Sequence, residues 1–185
     1  MSKRTLMLIA FLAIITAVLL TMALKTPPIP IVKILPTPAP IAQTQLIFGI
    51  LSPVPPFQTI KRTYSLPIKI TTGTNKVTAV QLELQFDPKV LNNVSIAPGS
   101  FFPKPVVLLN KIDAKSGRIS YALGISPQDQ AILGQNSVAV LTFESFNQIP
   151  TQTSIQFLPK SLVTAEGVQE SVLKTPSSEQ FIIGK

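Results

Sequence analysis

The chain has 185 residues, room for one domain with attachments, and contains neither Cys nor His. That absence removes disulfides, thiol nucleophiles, zinc sites of the usual kind and His-based acid–base catalysis. The formal charge of +8 is dispersed: four cations flank an apolar amino terminus, and the rest are scattered with no run longer than Lys61-Arg62 and no interleaved aromatics, so no nucleic-acid surface is expected.

After the short basic stretch 1–5 comes an uncharged run of 19 residues, 6–24, apolar but for two threonines. Its length suits the ~20 residues a helix needs to cross a bilayer core. It exceeds the ~7–15 residues of a signal-peptide core. The best small-x-small cleavage site on offer is Thr21-Met22-Ala23, a poor one. Residues 1–24 are therefore expected to anchor the chain in a membrane, with a cleaved signal peptide as the alternative. Lys3 and Arg4 favour a cytoplasmic amino terminus and an exported carboxyl-terminal domain, a bias that Lys25 and Lys33 weaken slightly.

Residues 25–44 form the next unit, a linker in which six prolines fall between Lys25 and Gln43. Each fixes its own φ and restricts the residue before it, so an extended polyproline-like stalk is expected. Residues 45–185 then read as one β domain. Short strands are predicted at 45–51, 60–72, 80–86, 94–97, 106–112, 118–125, 138–146, 153–158, 162–165, 169–173 and 181–183, separated by turn residues. Such spacing argues an all-β sandwich. The clearest alternation runs from Val80 to Phe86, with Val80, Leu82, Leu84 and Phe86 inward and Gln81, Glu83 and Gln85 in water. Pro67 inside 60–72 marks an edge or bulged strand.

The stretch Phe86-Asp87-Pro88-Lys89-Val90-Leu91, a short strand and Pro98-Gly99-Ser100-Phe101 resembles the cohesin domain, the receptor module for dockerins. Gly117-Arg118-Ile119-Ser120-Tyr121-Ala122 and Ser137-Val138-Ala139-Val140-Leu141-Thr142-Phe143-Glu144 resemble its later strands in the same order. The similarity covers roughly residues 46–183. It implies a jelly-roll β-sandwich of about nine strands, here preceded by one transmembrane helix, and a non-catalytic role in recognising a dockerin-bearing protein. Cohesins share this sandwich with several carbohydrate-binding modules, so polysaccharide binding, or a purely structural cell-surface role, stays open as the alternative.

The residues themselves offer no catalytic set, no cofactor site and no metal site. The eight acids are scattered singly. The one Ser-x-x-Lys, Ser171 to Lys174, falls in a predicted strand without its companion motifs. The loop 113–117 offers a single carboxylate where a calcium loop needs several oxygens. For sugar stacking, Trp is absent and Tyr121 lies on an inward register, which leaves Tyr64 and Phe57 as the aromatics that an outer surface could carry. A protein contact needs only a mixed sheet face. The resemblance places three strands on one such face, with Gln81, Glu83 and Gln85, then Arg118 and Ser120, then Val138, Val140 and Thr142 as the contact candidates.

Overall fold

The structure, a computed structural model, describes residues 2–25, 42–55, 62–145, 151–176 and 178–183. Most of the expected stalk, and the candidate aromatic Phe57, lie outside the described residues. The chain divides into two units, a helix and a β domain, each described by itself.

The helix α1 runs Lys3–Lys25, 23 residues. Ser2 caps it: the Thr5 amide lies 3.3 Å from Ser2 Oγ and its N–H is also satisfied by the Ser2 carbonyl at 3.0 Å. Thr16 and Thr21 sit mid-helix with their hydroxyls satisfied, donating back to carbonyls three or four residues earlier. This is the one helix among the described residues long and apolar enough to cross a membrane.

The β domain packs two antiparallel sheets. One holds β1 (Gln45–Phe48) and β2 (Ser52–Val54), both paired with β3 (Arg62–Thr71), followed by β8 (Gln135–Ser145) and β5 (Asn92–Pro98). The other runs β11 (Glu179–Ile183), β9 (Thr151–Phe157), β4 (Val77–Phe86), β7 (Arg118–Gly124) and β6 (Val106–Asp113), with β10 (Leu162–Ala165) also paired with β4. The period-two pattern explains the core between them. Leu66, Ile68 and Ile70 of β3 and Leu141 and Phe143 of β8 are fully buried, as are Leu82 and Leu84 of β4 and Ile119, Tyr121 and Leu123 of β7.

Three local expectations change. Pro67 lies in an inner strand, β3, which has β8 along one side. Its missing N–H is tolerated because the strand on the other side is broken: β1 ends opposite Ile68, β2 begins opposite Ser65, and between them the Gly49 amide donates to the Pro67 carbonyl at 2.7 Å. Residues 169–173 form no strand. Only Leu173 makes a bridge, to Thr44, and the Ser171 hydroxyl takes the amides of Val163 and Leu173 at 3.1 and 3.3 Å. The strand β8 joins β3 and β5, and so belongs to the sheet opposite β4 and β7.

Candidate functional site

The placement of β8 divides the expected contact set. Gln81, Glu83, Gln85, Arg118 and Ser120 share the β4–β7 sheet, whereas Val138, Val140 and Thr142 lie on the other side of the sandwich. Val138 is not outward at all. Ile68 pairs with Ala139 and Lys69 with Ser137, so Val138 is the extra residue of a β-bulge and is 1% exposed. Val140 is half-buried between its cross-strand neighbours Pro67 and Ala97, and Thr142 between Ser65 and Ser95.

The outer surface of the β6–β7–β4–β10 sheet differs. Directly opposed residues share a face, so the register writes its rows. One row reads Leu109, Ala122, Gln81, Leu162, the next Lys111, Ser120, Glu83, and a third Asp113, Arg118, Gln85. Along β6, Val106, Val107, Leu108 and Leu109 are 38, 44, 66 and 41% exposed. A bulge between Val107 and Leu109 leaves Leu108 without a partner. Four consecutive exposed aliphatic residues on a sheet edge are a feature soluble surfaces rarely keep without use. The sequence predicts 106–112 as an apolar strand, without its edge position. The signal was there: Val106-Val107-Leu108-Leu109 does not alternate, so it cannot bury all its side chains on one face.

Glu83 sits at the centre of this face and is only 8% exposed. Its Oε1 accepts from Gln81 Nε2 at 3.2 Å and its Oε2 from Ser120 Oγ at 2.8 Å. The backbone at Glu83 is fixed by the turn between β9 and β10: the Leu158 amide donates to its carbonyl at 2.7 Å, and its own amide donates to Ser161 Oγ at 3.0 Å. Gln85 donates from Nε2 to the Ser116 carbonyl at 2.7 Å, which ties β4 to the β6–β7 hairpin. In that hairpin Asp113 accepts from the Ser116 hydroxyl at 2.7 Å and from the amides of Ser116 and Lys115. These bonds, the hydroxyl's foremost, hold its carboxyl below the ordinary carboxylate range. The loop is thus closed by its own groups, and among the described residues no cluster of acids could hold a metal ion.

Among the described residues, the aromatic candidates form no outer platform. Tyr64 is 6% exposed and stacks on Phe143 with centroids 5.7 Å apart. Tyr121 is fully buried, and burial raises its phenol pKa.

The β domain is a two-sheet antiparallel sandwich with one outer face that mixes aliphatic residues with a held carboxylate. Residues 62–183 match the cohesin domain family, about two thirds of the chain, and the chain belongs to that family. The fold is similar to that of the third cohesin of ScaC in complex with the ScaB dockerin from Acetivibrio cellulolyticus, at 14% identity over 77% of this chain and 100% of that one, TM-score 0.58. A type II cohesin from the cellulosome of the same organism aligns at 14% identity over 76% of this chain and 94% of that one, TM-score 0.54. The OlpA cohesin of a type I cohesin–dockerin complex from Clostridium thermocellum aligns at 14% over 74% and 96%, TM-score 0.56. No curated relative matches the chain.

Proposed function

We propose that this chain is a non-catalytic docking module, tethered by α1 as a single membrane span with its sandwich outside the cytoplasm, that receives a dockerin-type protein on the outer face of β6, β7 and β4. One observation carries the reading: the aliphatic Leu109 and Leu162 share one sheet face with the polar centre Gln81, Glu83 and Ser120, and Leu109 ends the exposed edge stretch Val106–Leu109. Interfaces of this kind combine apolar anchors with a few fixed polar groups. Membership of the cohesin family supports the partner class, and the cohesins of similar fold include complexes with dockerins. Of the expected contacts, Gln81, Glu83, Gln85, Arg118 and Ser120 stay in this reading, while Val138, Val140 and Thr142 leave it because β8 belongs to the other sheet.

The polysaccharide alternative draws no support from an exposed aromatic face, since Tyr64 is packed against Phe143. The deciding experiment exposes the full chain, in detergent, to dockerin-bearing proteins of its own source and in parallel to a glycan array. Retention of a dockerin with no glycan signal is the expected result. A glycan signal without dockerin retention overturns the reading.

A further inference from the structure

Glu83 is a nearly buried acid on the outer face of its sheet. It is 8% exposed, yet both carboxylate oxygens are held by neutral donors, Gln81 and Ser120, and no cation among the described residues pairs with it. Lys111 and Arg118 occupy the same face but stay exposed. A carboxylate withdrawn from water without a counter-ion destabilises the fold that holds it. A glutamine could keep both contacts without that cost, its oxygen accepting from Gln81 and its amide donating to the Ser120 hydroxyl. The two donors use one lone pair on each oxygen, and a carboxylate accepts about four bonds, so acceptor capacity remains. Its backbone is clamped on both sides by Leu158 and Ser161, so the group is held ready rather than free to swing.

We propose that Glu83 is the specificity-determining residue of the docking face and that its partner there is a basic side chain, lysine or arginine, flanked by aliphatic side chains that cover Leu109 and Leu162. This rests on the docking face proposed above and adds the charge of the partner. The register supports the arrangement, since Leu109, Ala122, Gln81 and Leu162 form the row next to that of Glu83. Docking would remove the remaining water from the carboxylate and supply the missing cation in the same step, which is where a charged hydrogen bond contributes most.

The test uses the full chain in detergent, recombinant dockerin domains from the source genome as the probe, and two variants, Glu83→Gln and Leu109→Asp. Glu83→Gln should weaken binding by roughly tenfold to a hundredfold. Its affinity should also depend less on salt than that of the wild type, while the free domain melts at the same temperature or higher. Replacing the basic residue of the dockerin by Gln should add little further loss in the Glu83→Gln background. Binding within twofold of wild type for Glu83→Gln, with loss for Leu109→Asp, leaves the docking face standing and overturns the role of the charge. A lowered melting temperature for Glu83→Gln makes the carboxylate a structural acceptor and likewise overturns it. Undiminished binding by Leu109→Asp, or no dockerin retained by the wild type, removes the face and this inference together.

Discussion

The rings of Phe48 and Phe157 stack with centroids 4.4 Å apart and planes 24° from parallel, and so join the first strand of one sheet to β9 of the other. Phe181 of β11 meets Phe48 edge-on at 6.0 Å, which completes an aromatic clasp at one margin of the sandwich. Phe48→Ala removes the shared member of both pairs. It should lower the unfolding free energy by about 3 kcal/mol, read from urea denaturation of the β domain. A loss under about 0.5 kcal/mol would mean that the clasp is not part of the cooperative core.

Leu84 and Leu141 face each other's sheets across the core, both with no exposed surface. Either substitution to Ala should cost ~2–5 kcal/mol, whereas Lys111→Ala, exposed on the outer face, should cost little. With no Cys in the chain and no acid cluster among the described residues that could hold a metal ion, a chelator and a reductant should leave the melting temperature where it is.

Gly117 ends the β6–β7 hairpin loop at φ 68°, and a Cβ there would lie 2.2 Å from the Phe86 carbonyl oxygen. Gly117→Ala therefore combines left-handed strain, ~1–2 kcal/mol, with displacement of the turn. Because Gln85 reaches Ser116 in the same loop, this variant should also weaken partner binding, by moving Arg118 and Asp113. A hairpin that accepts alanine without loss of stability would contradict the geometry.

Asp113 in the same loop gives a pH signature. Its folded carboxyl titrates below the ordinary range because the Ser116 hydroxyl, then the amides of Ser116 and Lys115, bond the charged form. A depressed folded pKa gives a contribution to stability that is present above the ordinary carboxylate pKa and disappears as pH falls through the folded value. Carbon-detected NMR titration should find Asp113 below a typical Asp, and Ser116→Ala should raise it towards that value. An unchanged titration in Ser116→Ala would show that the hydroxyl does not hold the charge.

Protease added to cells with their outer surface accessible should remove the β domain and leave α1 in the membrane fraction. The single apolar helix Lys3–Lys25 and the flanking Lys3 and Arg4 motivate this outcome. Recovery of a soluble protein starting near Leu24 would show a cleaved signal instead.

Alternation made much of this fold legible before any coordinates. Val80 to Phe86 and Ile119 to Leu123 put the right residues inward, because a period of two leaves no freedom about faces once one of them is buried. Which sheet a strand joins is a different matter. Ser137 to Glu144 fits against either β3 or β4 by pattern, and only long-range pairing settles it; that is why Val140 and Thr142 were expected beside Glu83 and lie on the opposite surface. The run Val138-Ala139-Val140 hides a bulge, since three apolar residues in a row look the same with or without an unpaired one. The exposed stretch on β6 is the reverse case: its four unalternated aliphatic residues are visible, but an edge position cannot be read from local sequence.

The most direct test of the account compares the affinity of a cognate dockerin for the full chain carrying Leu109→Asp with its affinity for the chain carrying Val140→Asp. Leu109 lies on the β6–β7–β4 face and Val140 on the opposite sheet. An unpaired charge at the centre of a contact costs at least ~1–3 kcal/mol, which is roughly fivefold to a hundredfold or more in affinity. That loss is expected for Leu109→Asp, and wild-type binding for Val140→Asp. Loss confined to Val140→Asp, in a protein that still melts as wild type, would contradict it and move the docking surface to the β3–β8–β5 sheet.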